Sequence, residues 1–248
     1  MSAARYRGPG PRPAGDLDGL LLIDKPAGPT SHDIVDVVRR LFAIEKVGHG
    51  GTLDPGATGL LILLLGRATK LSQAVMSADK TYEGSLLLGI ETDTHDAEGD
   101  VVARRAGDAV TRDQLAAEMR KWIGDVEQVP PMVSAIKKDG VALYKMARAG
   151  REIAREPRIL HILEFALLEF APPLARFRVR CSKGTYVRTL CHDVGAGLGC
   201  GACMNTLHRT QSGRWHVRDA VRFEDLVALD RAGLARHVQP LVSLLQRP

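Results

Sequence analysis

The chain has 248 residues, 45% of them hydrophobic and 25% charged, which is ordinary for a globular protein with a sizeable core. Its net charge of +5 favours a polyanionic partner, and its aromatic content of 4% leaves few rings for stacking on a base. We find neither a membrane-length apolar stretch nor a secretory signal, so a cytoplasmic protein is expected.

The first predicted elements follow a biased N-terminal segment. Residues 1–18 are rich in Gly, Pro, Ala and Arg and lack apolar periodicity, which predicts a disordered basic tail. Ordered structure is expected to begin at Gly19, with a short buried strand over 20–23. A capping box formed by Thr30 and Asp33 then predicts the start of an amphipathic helix.

The next segment, Gly48 to Gly59, places five glycines and one proline around a single acid, Asp54. Such a loop can present a side chain to a ligand and leave room for a flat substrate. It is not a phosphate-binding P-loop, because Ala57 stands where the lysine must be and Pro55 removes an amide donor. The alternative is an ordinary Asp-Pro-Gly turn without a chemical role.

Two clusters later in the chain have the composition of metal sites but not the spacing. The acidic segment 92–100 lacks the EF-hand spacing and its distal glutamate, so a solvated turn is expected. Cys200 and Cys203 have a zinc-ligand spacing without a second matching pair, and buried thiols are the better interpretation. We therefore expect no metal.

The segment 175–181 has the clearest strand pattern in the chain. Apolar residues alternate with Arg176, Arg178 and Arg180, so the arginines share one face of the strand. They either bind the phosphates of a polyanion or form local salt bridges on an exposed sheet face.

A helix is predicted directly after this strand. Thr185 is the expected N-cap, and Val187 and Leu190 belong to the buried stripe. Arg188 lies in the first turn, where a cation opposes the helix dipole. It is therefore either a solvated surface arginine or is compensated by an acid or an anion. Strands and capped helices are mixed along the chain without strict β-α alternation, which favours an α+β fold.

In chain order, these motifs resemble those of the bacterial tRNA pseudouridine-55 synthases of the TruB type. The resemblance spans Gly19 to Trp215 and keeps the family's order of motifs, which chance does not explain. The matching segments are 22–26 with 28–31, 50–59, 80–82, 92–99, 130–137, 144–150 and 181–190.

The resemblance implies a pseudouridine synthase fold, with a large mixed and mostly antiparallel sheet, flanking helices and an RNA-binding insert. Residues 19–248 are then the catalytic domain, with the insert at about 128–153. We expect that the small additional C-terminal RNA-binding domain, common in the family, is absent.

The implied activity is isomerisation of one uridine, at position 55 in the T arm of tRNA, to pseudouridine. By resemblance, Asp54 is the nucleophile, Tyr82 stacks on the target base and Arg188 pairs with Asp54. The residues expected to contact or surround the RNA are His49, Lys25, Gly51, Thr52, Tyr186, Lys137 and Arg148. His49 is alternatively a hydrogen-bonded loop histidine, and Lys25 a solvated turn lysine.

The residue chemistry is compatible with this reaction. The base must detach, turn and reattach, so the nucleotide must leave its stack. A carboxylate can attack either C1′ of the ribose or C6 of the uracil, and the sequence does not choose between them. No redox step occurs and no group enters or leaves, so we expect no cofactor. Separately, we expect a monomer that acts on tRNA and has no membrane partner.

Two other functions stay open at this stage. A non-catalytic module that binds tRNA and helps it to fold would bind tightly without isomerisation. A glycosidic hydrolase would release free base, but that chemistry usually uses a second positioned carboxylate, and no other acid lies beside Asp54 in sequence.

Overall fold

The computed structural model of the chain describes residues 17–131, 137–138, 141–142 and 153–241. The helices are α1 (Ser31–Leu41), α2 (Ser72–Met76), α3 (Arg112–Lys121), α4 (Val187–Gly197), α5 (Phe223–Leu226) and α6 (Arg231–His237). The strands are β1 (Gly19–Lys25), β2 (Val47–His49), β3 (Thr58–Leu65), β4 (Lys80–Leu88), β5 (Ile90–Thr92), β6 (Val101–Arg104), β7 (Gly124–Gln128), β8 (Lys137–Lys138), β9 (Val141–Ala142), β10 (Arg158–Ala171), β11 (Leu174–Cys181), β12 (Ala202–Ser212), β13 (Trp215–His216), β14 (Val221–Arg222) and β15 (Val238–Pro240).

The fold is α+β, with a large mixed sheet, mostly antiparallel strand pairs and flanking helices, which confirms the predicted class. The chain divides into two compact units. The first unit comprises residues 1–78 and 208–248, and the second comprises residues 79–207.

The first unit is built on two strands, β1 and β3, which pair antiparallel along seven residues from Gly19↔Leu65 to Lys25↔Gly59. Both read as nearly continuous apolar runs, because both faces of each strand are covered. One hydrophobic cluster contains Ala68, Val75 and alternate residues of the two strands: Leu20, Leu22, Leu60, Ile62 and Leu64. The capping box of Thr30 and Asp33 forms as predicted at the start of α1.

The second unit carries four antiparallel strands in the order β4, β11, β10, β7. The predicted alternation in β11 is confirmed: Phe177 and Val179 are fully buried, while the arginines face outward. Helix α3 packs on β10 and also contacts α4. A second capping box, formed by Thr111 and Gln114, starts α3.

The outward arginines of β11 form local salt bridges. Arg178 binds Glu83 at 2.7 Å, and the other two arginines pair with carboxylates of neighbouring strands or turns. Side chains in these pairs are 32–68% exposed, so each pair stabilises the fold by about 0–1 kcal/mol. Of the two interpretations offered by the sequence, the structure shows the ion-pair face.

Parts of the predicted organisation fall outside the described residues: positions 1–16 of the tail and most of the insert at 128–153. Arg148 and the side chain of Lys137 belong to this group. At the last residue of the predicted tail, the Asp18 carboxylate accepts bonds from the Arg67 amide and Nε, both at 2.6 Å. Among the described residues, no helix combines the length and apolar character needed to cross a membrane.

Candidate active site

Asp54 lies in the loop between β2 and β3, and its side chain is partly exposed. Its backbone carbonyl accepts a hydrogen bond from Ala57 N at 3.1 Å, so the Asp-Pro-Gly segment does form a turn. Asp54 is the one acid in this loop. The two residues that follow it toward β3, Pro55 and Gly56, are exposed. The loop therefore presents a carboxylate that a ligand can reach.

Two residues near the start of the chain hold this loop in place. Ser31, at the start of α1, donates from Oγ to the Leu53 carbonyl at 3.0 Å and accepts from Leu53 N at 2.8 Å. Lys25 donates from Nζ to the Pro55 carbonyl at 3.1 Å, and to the carbonyls of Pro26 and Pro29 at 2.8 Å. Both anchors act on the backbone on either side of Asp54.

Lys25 is 0% exposed, so its ammonium group is not the solvated turn lysine of one interpretation. The ammonium group donates instead to backbone carbonyls inside the fold, those of Pro26, Pro29 and Pro55. A buried ammonium is tolerated only when such acceptors surround it. We therefore treat Lys25 as a residue that supports the loop, and its direct RNA contact stays a prediction.

Arg209, on β12, is a third anchor, and sequence analysis did not find it. It is 2% exposed and donates to the carbonyls of Gly51, Thr52 and Leu60. One signal was available: Arg209 is two residues after Leu207, which is buried, so a strand here places both side chains on the same face.

His49 ends β2 and is half-buried beside this loop. Its Nδ1 accepts a hydrogen bond from Gly51 N at 3.3 Å, so the ring carries its proton on Nε2. Burial, together with the positive charges of Arg209 and His32, lowers the pKa of His49 below its usual 6.5. His49 is thus hydrogen-bonded within its loop and neutral at pH 7 with one donor on Nε2, and its contact with RNA stays a prediction.

The second unit holds the other predicted catalytic residues. Arg188 is 4% exposed in the first turn of α4, and its Nη1 lies 3.3 Å from Oδ2 of Asp96. Its Cζ also lies 5.7 Å from the centre of the Tyr186 ring, a cation–π distance. Of the two interpretations offered by the sequence, compensation by an acid is the one observed.

Asp96 belongs to the acidic segment that sequence analysis expected to be a solvated turn, and for Asp96 this expectation is wrong. Asp96 is 7% exposed, and its Oδ1 accepts bonds from Thr94 Oγ1 at 2.7 Å and from Glu98 N at 3.2 Å. The turn is buried at this point because β12 pairs with it: Met204 N donates to the His95 carbonyl, and Ala97 N donates to the Met204 carbonyl.

His95 in the same turn has a backbone φ of 67°, and its ring stacks on His192 at 4.0 Å. Burial lowers the pKa of His95 to about 4, and the neighbouring charge of His192 acts in the same direction. His95 therefore packs beside the buried ion pair without adding a charge of its own at neutral pH.

The two predicted tyrosines are also placed in the second unit. Tyr82 lies on β4, is 9% exposed and sits opposite Val179. Tyr186 occupies the N-cap position of α4 without a side-chain capping bond, and the Gln128 side chain holds its backbone through bonds of 2.9 and 3.2 Å. The predicted N-cap, Thr185, was wrong by one position, because its hydroxyl instead donates to the Ser182 carbonyl at 3.0 Å.

The predicted site residues thus fall into two clusters. The first unit brings together Lys25, His49, Gly51, Thr52 and Asp54 around one loop. The second unit brings Arg188 against Asp96 and Tyr186, and it also carries Tyr82. Within the described residues, no three His, Cys, Asp or Glu side chains are placed to hold a metal ion. All four cysteines are buried, as predicted.

Comparison with known proteins identifies the family. The model of the TruB family pseudouridylate synthase N-terminal domain matches residues 39–187, and the model of the tRNA pseudouridylate synthase B C-terminal domain matches residues 188–246. The second match covers a region that sequence analysis assigned to the catalytic domain. The predicted absence of a further RNA-binding domain stays a prediction.

The curated relatives cover nearly the whole chain. The tRNA pseudouridine synthase B of Opitutus terrae is 47% identical over 230 residues, which is 93% of this chain and 95% of that protein. The enzyme of the same name from Syntrophotalea carbinolica is 49% identical over 208 residues, which is 84% of this chain and 68% of that protein.

Solved structures share the fold. A chain of a Cbf5–Nop10–Gar1 complex aligns with a TM-score of 0.70 and 31% identity, and a chain of an H/ACA ribonucleoprotein bound to a substrate RNA containing 2′-deoxyuridine aligns with 0.67 and 27%. This chain spans about 60% of the length of those solved chains. The family matches and the identity to relatives over most of their length show that the chain belongs to the TruB family and is an enzyme of the pseudouridine synthase class.

Proposed function

We propose that this enzyme converts the uridine at position 55, in the T arm of tRNA, to pseudouridine, with Asp54 as the nucleophile and without a cofactor. The observation that carries the proposal is the partly exposed carboxylate of Asp54, presented by a loop whose backbone is held on both sides. The names of the curated relatives support tRNA as the substrate class.

The reaction rearranges atoms within one nucleotide. The N1–C1′ bond of uridine breaks, a C5–C1′ bond forms, N1 takes up a proton and the hydrogen on C5 leaves to water. Because nothing is added or oxidised, side chains alone can supply the chemistry. The carboxylate forms a covalent bond to C1′ or to C6 and leaves again at the end, so it is regenerated.

The second unit supplies the other proposed roles. Tyr82 stacks on the extruded base. Alanine substitution at such base–aromatic contacts weakens binding by about 1–3 kcal/mol. Arg188 supplies a positive charge to the reacting groups, and Asp96 fixes the direction of its guanidinium. A cation in the first turn of a helix is unfavourable by itself, so its burial beside an acid indicates a role that outweighs this cost.

The other residues predicted to contact or surround the RNA have two proposed roles, direct contact with the substrate and support of the loop. Thr52 is exposed, and His49 keeps one uncharged donor on Nε2, so both are proposed to touch the RNA around the extruded nucleotide. Tyr186 is proposed to line the same substrate site, while Lys25 and Gly51 act on the loop itself. Contacts by Lys137 and Arg148 stay part of the proposal and fall outside the described residues.

Tritium release from tRNA labelled at uridine C5 tests the proposal, because only formation of the C5–C1′ bond expels that hydrogen. We expect release with one product at position 55, and none from a tRNA that carries cytidine there. Tight tRNA binding without tritium release would instead indicate a binding module. Free uracil among the products would indicate a hydrolase.

A further inference from the structure

We infer that Arg209 is a positioning residue for Asp54, which it orients by fixing the backbone of the loop rather than by touching RNA. The inference rests on the proposed role of Asp54 as nucleophile. It assigns a function in catalysis to a residue of β12 that is distant in sequence from the loop of Asp54.

The path of β12 brings Arg209 to the loop. β12 runs parallel to β3 with Arg209 opposite Gly59, and Gly59 has a φ of +95°. A Cβ on Gly59 would lie 2.5 Å from the Arg209 carbonyl oxygen and 2.8 Å from its nitrogen. The two backbones are therefore in direct contact, which only glycine allows here.

The guanidinium then joins the two ends of the loop. Nη2 donates to the Gly51 carbonyl at 3.1 Å and Nη1 to the Thr52 carbonyl at 3.3 Å, both before Asp54. Nε donates to the Leu60 carbonyl at 2.7 Å, after Asp54. The planar guanidinium spreads its donors over three nitrogens, so it can reach carbonyls on both sides of Asp54 at once, whereas a lysine donates from a single nitrogen.

The other loop carbonyls between these contacts are also satisfied. Those of Leu53 and Pro55 accept from Ser31 and Lys25, and that of Asp54 itself accepts from Ala57 N. Each carbonyl from 51 to 55 thus has a partner. Arg209 serves two of the five and is the one side chain among these anchors that also holds the far end of the loop, at Leu60.

The burial of Arg209 favours this one conformation of the loop over others. Arg209 is 2% exposed, so water does not solvate its charge. Removing a charge from water is unfavourable unless hydrogen bonds replace the water. A different loop conformation would turn carbonyls away from the buried cation, and this cost disfavours it. The loop is therefore rigid despite its glycines, and Asp54 is held in one position before substrate arrives.

Arg209→Lys tests the inference, with Arg231→Lys as the matched control. Arg231 also donates to a main-chain carbonyl of the first unit, that of Phe42, at the opposite end of α1 from Ser31. With saturating tRNA, we expect the single-turnover rate of Arg209→Lys to fall about 100-fold, the size of effect produced by a misplacement of about 1 Å. The dissociation constant for tRNA and the rate of Arg231→Lys should change by less than about twofold.

Each rate is divided by the folded fraction from near-ultraviolet circular dichroism, so that lost stability is not read as lost positioning. A corrected rate equal to that of wild type would overturn the inference. So would a fall in rate that weaker tRNA binding explains in full.

Amide hydrogen exchange provides a readout that does not depend on the reaction. In Arg209→Lys the amides of Leu53 and Ala57 should exchange at least about tenfold faster, and in Arg231→Lys they should not. If wild type forms no pseudouridine, the proposed function fails while this measurement still tests the positioning.

Unchanged protection in Arg209→Lys contradicts the inference. Should that variant not fold, Ser31→Ala removes a smaller anchor of the same loop. It must show faster exchange and a slower corrected rate, and an unchanged value of either contradicts the inference.

Discussion

The buried ion pair of Arg188 and Asp96 allows a quantitative prediction for Asp96→Asn. In the wild type, Oδ2 faces Arg188 while Oδ1 accepts two bonds from the turn, from Thr94 Oγ1 and Glu98 N. An asparagine has one acceptor oxygen, so it can satisfy the turn or the guanidinium but not both. In the first case its amide N–H groups point at the cation. In the second the Glu98 N–H loses its acceptor, while the Thr94 hydroxyl can turn and accept from the new amide.

The magnitude follows from burial and geometry. The two side chains are 5% and 10% exposed, and they share one contact of 3.3 Å rather than a two-pronged one. Breaking a buried pair costs about 3–5 kcal/mol, and the long single contact places this pair at the lower end, about 3 kcal/mol. At about 2–4 °C per kcal/mol for a chain of this size, the melting temperature should fall by about 6–12 °C.

Glu83→Gln is the matched control, because it removes the same charge from an arginine pair in the same unit. That pair is 44% and 32% exposed, so we expect a loss of at most about 1 kcal/mol, or about 4 °C. Thermal unfolding is measured for both variants, followed by tritium release at the temperature where each is fully folded.

Asp96→Asn should also lose at least about tenfold in rate through misdirection of Arg188, whereas Glu83→Gln should not. The reasoning is refuted if the two variants melt within 2 °C of one another, as exposed pairs of about equal worth would. It is equally refuted if Asp96→Asn keeps the wild-type rate.

Two further predictions concern pH and backbone strain. The pKa of His95 is about 4 in the folded protein, against an ordinary value of 6.5. Between pH 6.5 and 4 the unfolded chain therefore binds more protons than the folded protein, and the free energy of unfolding falls as the pH falls. Above about pH 6.5 this effect vanishes. Because the ring is half-buried, we expect His95→Gln to remove on the order of 1 kcal/mol of this pH dependence, and parallel stability curves for variant and wild type from pH 6.5 to 4 would contradict the assignment. Both Gly59 and Gly28 have a positive φ, +95° and +109° respectively, so alanine is strained at either position. The added Cβ of Gly59→Ala would also lie 2.5 Å from the Arg209 carbonyl oxygen, whereas that of Gly28→Ala has nothing within 4 Å. Urea unfolding should show Gly59→Ala to be less stable than Gly28→Ala by about 1–3 kcal/mol, and equal stabilities would show that the close contact carries no cost.

Elements with a local cause could be predicted from the sequence. The continuous apolar run of β3 and the strict alternation of β11 show which faces are covered, since the side-chain period of a strand is two. The capping boxes at Thr30 and Thr111 formed because both partners lie within one turn of helix. The prediction of Thr185 as the N-cap of α4 was wrong, because its hydroxyl donates back to the Ser182 carbonyl instead of capping the helix.

Features with a distant cause were not predictable in the same way. Asp96 is buried because Met204, more than a hundred residues away, pairs with its turn, and no local pattern reports that pairing. Arg209 meets Gly51 and Thr52 across 158 and 157 residues. The glycine-rich loop therefore suggests flexibility by its composition, whereas buried side chains from other elements make it rigid.

The most direct test of the whole account is Asp54→Asn, measured in single turnover on unmodified tRNA together with its affinity for that tRNA. The substitution keeps the size and the turn-forming capacity of Asp54 but removes the nucleophilic charge. We expect unchanged tRNA affinity and no pseudouridine at position 55. Pseudouridine formed at the wild-type rate by Asp54→Asn would contradict the account.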